Sequence, residues 1–170
     1  MKNIRLRSYK DTGTILVDDG LISVERLREA ADVQQRAGLS VGRALVELGF
    51  ISEWELARAI AKELGVAFVR LRDMEYRSEP TQKIDPAVLH QHRFFILERF
   101  DGVDTVVVTE PPSLDLLTEI SPVLGEKVFF VVSIMSDVER ALSKSVPLVA
   151  AVAQAGCDKS AEEILKGFGD

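Results

Sequence analysis

The sequence predicts an α+β fold in which a duplicated helical-hairpin N-terminal subdomain is followed by a small αββαβα subdomain. Two observations indicate this fold: a phrase that occurs twice near the N-terminus, and three short apolar runs with the character of β-strands, two of them joined by Asp101-Gly102. The 170 residues are 46% hydrophobic and 28% charged. This is the balance of a globular chain with room for one ordinary domain or two small ones.

The duplication is visible when the sequence is shifted by 29 positions against itself. Residues 11–34 and 40–63 then share eight identities, whereas composition alone would give about one or two. The identities pair Gly13 with Gly42, Leu16 with Leu45, Val17 with Val46, Gly20 with Gly49, Ile22 with Ile51, Ser23 with Ser52, Leu27 with Leu56 and Ala30 with Ala59. The two stretches are named repeat 1 (11–34) and repeat 2 (40–63).

Each repeat predicts a short helix, a glycine turn and a longer amphipathic helix. Gly20 and Gly49 stand where a helix ends in the left-handed conformation, which glycine adopts without steric cost. Ser23 and Ser52 are expected to cap the second helices, and Glu55 completes a capping box with Ser52. A duplicated helical bundle without any ligand would carry the same signals.

Gly13 and Gly42 fit that simple bundle less well. They fall near the start of the short helices, where glycine costs about 1 kcal/mol relative to alanine. We therefore expect a close approach of main chains at both positions.

The second half of the chain predicts a small α/β subdomain. Val66–Leu71 is interpreted as a short buried strand and Arg72–Lys83 as a polar linker. Beyond it, the patterns predict a helix capped by Asp85, strands at Phe94–Phe100 and Asp104–Glu110, a helix capped by Ser113, a strand at Lys127–Ser133 and a helix capped by Ser136. The predicted domain organisation is a hairpin subdomain at 1–72, a linker at 73–84, the α/β subdomain at 85–145 and a helical tail at 146–170.

Charge and composition exclude several classes of function. A net charge of −6 disfavours binding to a nucleic acid polymer or to an anionic membrane surface. The longest apolar run, Val146–Gly156, is too short to cross a membrane, so no direct membrane insertion is expected. The single cysteine, Cys157, cannot form an intramolecular disulfide, which favours the cytoplasm.

The sequence lacks a convincing catalytic or metal-binding constellation. It has no glycine-rich phosphate loop, because an aspartate precedes the Lys159-Ser160 pair. His90 and His92 point to different faces of a helix and are poor joint metal ligands. Cys157 has no nearby base, and Trp54 is interpreted as a packing or partner-contact residue. We expect no enzyme activity, no metal and no cofactor.

The two repeats resemble tandem motifs in the N-terminal domain of the type II secretion and type IV pilus assembly ATPases. The family motif reads approximately Arg-Leu-Gly, a short apolar helix, Gly, two apolar residues, Ser or Thr, and a helix that ends in Gln. The copies here read DTGTILVDDGLISVERLREAADVQ and SVGRALVELGFISEWELARAIAKE. The resemblance is close over about the first 65 residues and looser to about residue 145.

Some members of that family bind cyclic di-GMP through these motifs. The resemblance implies a candidate ligand-binding site formed by Gly13, Leu16, Gly20, Leu21, Leu27 and Gln34 of repeat 1 with Gly42, Leu45, Gly49, Phe50 and Leu56 of repeat 2. Asp11 and Ser40 stand where the nucleotide binders have the leading Arg, and Glu63 stands at the second Gln. Because acidic side chains repel a dianion, binding would need Arg36 or Arg43 as a substitute.

The expected function is a non-enzymatic regulatory or docking module of a type II secretion or type IV pilus motor. Its expected partner is the cytoplasmic part of a membrane platform protein, or an ATPase half, bound between the subdomains or along the hairpin faces. The alternative is a cyclic di-GMP receptor module that uses the tandem 24-residue motifs. The sequence leaves open which system is served and what the oligomeric state is.

Overall fold

The computed structural model of the protein describes residues 10–76, 81–125 and 127–145. Its helices and strands are α1 (Thr12–Asp18), α2 (Val24–Ala37), α3 (Val41–Glu47), α4 (Glu53–Leu64), α5 (Pro86–His92), β1 (Phe95–Phe100), β2 (Val103–Val108), α6 (Leu114–Ile120), β3 (Lys127–Val132) and α7 (Met135–Ser145). Short 3-10 turns at Leu71–Asp73 and Thr81–Lys83 join the two halves. This order confirms the predicted α+β fold. The predicted tail at 146–170 lies outside the described residues.

Both repeats form the predicted helical hairpins. Gly20 and Gly49 follow α1 and α3 with φ angles of 69° and 70°, which is the left-handed conformation. The Ser23 hydroxyl accepts a hydrogen bond from the backbone N–H of Arg26 at the start of α2. At the start of α4, Ser52 forms the predicted capping box with Glu55.

Gly13 and Gly42 are approached by side chains rather than by main chains. A Cβ atom on Gly13 would lie 2.7 Å from Leu27 Cδ1, and one on Gly42 would lie 3.2 Å from Leu56 Cδ2. Leu27 and Leu56 are equivalent positions of the two repeats. In each repeat, the leucine of the second helix occupies the space that a side chain at the glycine would need. The predicted approach of main chains is therefore wrong, because side chains, among them the leucine of the second helix, occupy the space beside both glycines.

The sheet has the strand order β1-β2-β3, with an antiparallel first pair and a parallel second pair. Asp101 and Gly102 join β1 to β2 with φ angles of 47° and 72°, the pair of positive values that a type I′ hairpin requires. The predicted strand at Val66–Leu71 is wrong in extent. Phe68 alone forms a bridge, to Val132 at the C-terminal end of β3, because the chain turns into a 3-10 segment at Leu71.

The end of the predicted linker is hydrogen-bonded to the sheet. Thr81 is buried, and its hydroxyl donates to the carbonyl oxygen of Ile96 and accepts from the Ile96 N–H, both at 3.0 Å. The buried hydrophobic side chains of the two halves form one cluster, which includes Leu16 and Leu45 as well as Phe94. The domain boundaries remain a prediction.

Helix α7 begins earlier than predicted. Ser136 is not its cap, because the helix starts at Met135 and Ser136 lies within its first turn. Both the backbone N–H and the hydroxyl of Ser136 instead donate to the carboxylate of Glu53, at 3.3 and 2.7 Å. This contact ties α7 to the start of α4.

Candidate functional site

The structure divides the eleven candidate site residues into a buried set and a surface set. Buried are Gly13, Leu16, Gly42, Leu45 and Leu56; Leu27 and Phe50 are half-buried; Gly20, Leu21, Gln34 and Gly49 are exposed. Leu16 and Leu45 have no exposed surface, and Leu56 has 1%. These three leucines belong to the hydrophobic core, so in this conformation they can support a ligand surface but cannot touch a ligand.

Leu21 lines a shallow surface groove between the α1–α2 turn and helix α4. The groove has a volume of about 440 Å³ and is lined by Asp19, Leu21, Glu55, Arg58, Ala59 and Lys62. Lys62 Nζ lies 2.6 Å from Asp19 Oδ1, which closes one side with an ion pair. The groove offers an apolar floor and one arginine, Arg58, and it is the part of the candidate site that is open to a small molecule.

Phe50 occupies the position in repeat 2 that Leu21 occupies in repeat 1. The guanidinium carbon of Arg26 lies 5.2 Å from the centre of the Phe50 ring, within the range of a cation–π contact. Arg26 was not among the candidate site residues, because its place in repeat 2 is taken by Glu55. The sequence holds no motif that would have found it.

The two leading positions of the motifs serve as helix caps. Asp11 accepts hydrogen bonds from the backbone N–H and the hydroxyl of Thr14, at 3.0 and 2.6 Å. These two bonds lower the pKa of Asp11. The hydroxyl of Ser40 accepts from the N–H of Arg43 at 3.3 Å and also donates to the carboxylate of Glu110.

Glu110 joins the start of both repeats to the end of strand β2. Its carboxylate accepts a 3.0 Å hydrogen bond from the hydroxyl of Thr12 at the start of α1, and a second bond from Ser40 at the start of α3. A Cβ on Gly42 would lie 3.0 Å from this carboxylate, so a larger residue would displace it. Burial raises the pKa of Glu110, against the opposing effect of these hydrogen bonds and of Arg93.

In the sequence, Glu110 is only the last residue of a predicted strand. An acidic residue after a run of valines is a common pattern and carries no specific signal. Its partners Thr12 and Ser40 are far from Glu110 in the sequence, so no local pattern predicts the contact. This junction, referred to below as the Glu110 junction, consists of Thr12, Ser40 and Glu110.

Arg43, one of the two arginines considered as substitutes for the missing motif residue, is already engaged. Its Nε lies 2.7 Å from Glu47 Oε1, and its Nη1 lies 2.7 Å from Glu139 Oε1. Arg93 Nε lies 3.3 Å from the same Glu139 oxygen. The other candidate substitute, Arg36, is exposed in the last turn of α2.

Arg93 stands between two clefts at the junction of α3, α5 and α7. One cleft, of about 200 Å³, reaches Ser40 and Glu110, and the other, of about 340 Å³, reaches Arg43 and Glu139. Arg93 has a positive φ of 47°, and burial together with the charge of Arg43 lowers its pKa. The cationic and acidic groups here are balanced, so the clefts show no clear preference for an anion.

The histidines and the tryptophan do not form a reactive site. His90 and His92 both lie on α5, and His92 Nε2 is 3.7 Å from Glu119 Oε2. Trp54 packs against Phe68, with ring centres 5.3 Å apart, and below the Arg70 guanidinium, 4.4 Å from the ring centre. Trp54 also remains 44% exposed, so its position fits both roles expected for it, packing and partner contact.

Within the described ranges, no group of three or more His, Cys, Asp or Glu side chains is arranged to hold a metal ion. In the same part of the chain, no helix has the length and apolar character needed to cross a membrane.

Comparison with known proteins identifies the family. The family model of the MshEN domain matches residues 64–150, more than half of the chain. The type IV pilus assembly ATPase PilB of Myxococcus xanthus is 26% identical over 132 residues, which cover 78% of this chain and 23% of PilB. PilB of Thermus thermophilus is 33% identical over 66 residues, which cover 39% of this chain and 7% of that protein. The chain thus spans less than a quarter of the length of these curated relatives.

Two solved structures share the fold. A structure of MshE with cdg superposes with a TM-score of 0.62 at 20% identity and covers 80% of this chain and 99% of that one. The N-terminal domain of XpsE superposes with a TM-score of 0.61 at 19% identity and covers 81% and 98%. The class of protein is therefore an α+β module of the kind found as N-terminal domains of secretion and pilus ATPases. The chain belongs to the MshEN domain family, which confirms the predicted resemblance to the N-terminal domain of these ATPases, and the matched residues begin directly after repeat 2.

Proposed function

We propose that this chain is a non-enzymatic regulatory and docking module of a type II secretion or type IV pilus motor and that it works in the cytoplasm. The proposed partner is the cytoplasmic part of a membrane platform protein, or the ATPase half of the motor. Family membership and the similarity to PilB support the choice of machine.

A pair of exposed phenylalanines on the sheet carries the docking proposal. Phe100 and Phe129 are 78% and 61% exposed. Their cross-strand partners, Val103 and Thr105, are two residues apart on β2, so both rings project from the same face of the sheet. Large exposed apolar groups on one face are typical of protein-contact surfaces.

A pull-down experiment tests docking. The cytoplasmic parts of secretion and pilus platform proteins, and the matching ATPase halves, are presented to the immobilised chain. Capture should be lost in a Phe100→Ser, Phe129→Ser double variant and kept in Leu114→Ser, a control in which an equally exposed apolar residue of α6 is changed. Failure to capture any of these proteins would count against the proposal.

The second candidate function is cyclic di-GMP reception. The similarity in fold to the structure of MshE with cdg favours it, as does the open groove at Leu21. Against it stand Asp11 and Ser40, which cap their helices in place of the motif arginines, and the engagement of Arg43 by two glutamates.

Isothermal titration calorimetry with excess cyclic di-GMP distinguishes the two functions. Absence of heat with micromolar protein would remove the receptor hypothesis for the natural sequence. The Asp11→Arg, Ser40→Arg double variant should then gain binding if the apolar surface is intact. Each of the two changes removes a helix cap, and each cap contributes about 1 kcal/mol to stability. A thermal unfolding scan must therefore first show that the variant is folded.

A further inference from the structure

A small cleft opens between the 3-10 segment and helix α7. Its volume is about 70 Å³, and its walls are formed by Leu71, Arg72, Met74, Tyr76, Asp137, Arg140, Ala141 and Lys144. We call it the basic cleft, because three of its wall residues, Arg72, Arg140 and Lys144, are cationic. It lies away from the groove at Leu21 and from the Glu110 junction, with which it shares no residue.

The one acidic group of the basic cleft is already neutralised. The Asp137 carboxylate is fully buried and accepts hydrogen bonds from Arg70 Nε at 2.8 Å and from Arg72 Nε at 3.4 Å. Burial acts to raise the pKa of Asp137, but these bonds and the charge of Arg70 prevail and lower it. Asp137 is therefore ionised at neutral pH and fixes the two arginines in place.

The cleft retains an excess of positive charge toward solvent. Arg140 and Lys144 are exposed on α7 and form no ion pair with any residue of the described ranges. Arg72 keeps 45% of its side chain exposed beyond its contact with Asp137. The whole chain carries a net charge of −6, so the charge of this surface is opposite in sign to the net charge of the molecule. Asp73 and Glu75 are exposed on the same segment but do not line the cleft.

The rim of the cleft is apolar. Met74 is 40% exposed, and the half-buried ring of Tyr76 packs edge-on against Phe95 with ring centres 4.9 Å apart. Leu71 and Ala141 are buried in the core beneath the floor. A cationic surface beside an exposed methionine favours a ligand that carries carboxylates next to an apolar side chain.

We propose that the basic cleft docks an acidic peptide segment of the partner, with glutamates or aspartates against Arg72, Arg140 and Lys144 and one apolar side chain against Met74. The proposal rests on the docking function above and adds the surface and the chemistry of the bound segment. The small volume suits a side-chain carboxylate and excludes a whole nucleotide.

Fluorescence anisotropy with a labelled peptide tests this directly. The probe carries glutamates on both sides of a single leucine. We expect binding that weakens with rising salt and falls by about tenfold or more in an Arg140→Glu, Lys144→Glu variant, because opposite charges then become like charges. Met74→Ser should weaken binding several-fold without changing the salt dependence.

A matched control reverses two exposed arginines of α2, Arg28→Glu and Arg36→Glu. It makes the same change in net charge and should leave peptide binding unchanged. Equal losses in the two charge-reversed variants would overturn the proposal, because the effect would then come from overall charge. Binding of phosphatidylglycerol vesicles, but not of the peptide, would also overturn it and would assign the cleft to a membrane.

The pull-down experiment separates this proposal from the function on which it rests. If the wild-type chain and the Arg140→Glu, Lys144→Glu variant capture the platform protein equally, docking stands and the basic cleft is not its site. If the peptide binds as expected but no platform protein is captured, the cleft stands and the proposed motor partner is wrong.

Discussion

Repeat 1 and repeat 2 share a sequence pattern but differ in how they are anchored. In repeat 2, α4 buries Leu56, Ala57, Ala59, Ile60 and Ala61, whereas in repeat 1, α2 buries only Ala30. Repeat 2 is also tied to the α/β half by contacts that join Ser40 to Glu110, Glu53 to Ser136, and Arg43 to Glu139. From repeat 1, Thr12 makes a hydrogen bond to Glu110. The first helices of both repeats contribute to the core, whereas of the second helices α4 is part of the core and α2 lies at its periphery.

The difference teaches that a repeated motif specifies local structure without fixing its environment. Both copies have the same glycine turn, the same capping serine and the same leucine packed on a glycine. What differs is the residues between the identities. In repeat 1 these intervening residues make the surface of α2 polar. The outer face of α2 is therefore open to a partner or ligand.

The largest expected effect concerns the two equivalent leucines. Leu56→Ala should lower the free energy of unfolding by about 2–5 kcal/mol, because Leu56 is buried and its loss leaves a cavity. Leu27→Ala should cost about 1–2 kcal/mol, because Leu27 is only half-buried. Urea unfolding of both variants measures the two values. Equal costs would show that the repeats are equally embedded.

The Glu110 junction gives a pH-dependent test. Because burial raises the pKa of Glu110, the folded state holds its proton more tightly than the unfolded state. The ionised carboxylate of Glu110 lowers the free energy of unfolding. This destabilisation is absent below the ordinary glutamate pKa of 4.5 and grows as the pH rises through the raised pKa of the folded state. Glu110→Gln removes this titration. The stability of the variant relative to wild type should therefore increase with pH over that window.

Glu110→Ala serves as the companion variant. It leaves the hydroxyls of Thr12 and Ser40 without their shared acceptor and should cost about 1–3 kcal/mol.

If chemical denaturation shows the same difference between Glu110→Gln and wild type at every pH, the carboxylate does not titrate in that window, and the assignment of its raised pKa is wrong.

The smallest effect compares the two capping serines. Ser52→Ala should cost about 1 kcal/mol, because Ser52 caps α4 and takes part in a reciprocal capping box. Ser23→Ala should cost less, because Ser23 caps α2 with a single bond and α2 packs more loosely. Thermal unfolding of the two variants measures the difference. A larger loss for Ser23→Ala would reverse the proposed ranking of the repeats.

The sequence predicted the local features of the fold because local chemistry determines them. The glycine turns, the Asp101-Gly102 hairpin and the caps at Ser23, Ser52, Asp85 and Ser113 depend on residues close to one another in the chain. The length of the strand at Val66–Leu71 was overestimated, because an apolar run does not reveal how many of its residues can pair with the edge strand of the sheet.

The candidate site was less predictable from sequence than the fold was. Periodicity identified the apolar residues of the repeats but could not separate Leu16, which faces the core, from Leu21, which faces solvent. The tertiary structure brings Glu110 to Thr12, and it brings Arg26 of repeat 1 to Phe50 of repeat 2. No residue spacing encodes such contacts, so only the folded chain reveals them.

Native-state hydrogen exchange tests the unequal anchoring of the repeats most directly. We predict that backbone amides of α4 exchange only through global unfolding, whereas those of α2 exchange through local opening, at least about tenfold faster. Equal protection of the two helices, or slower exchange in α2, would contradict it.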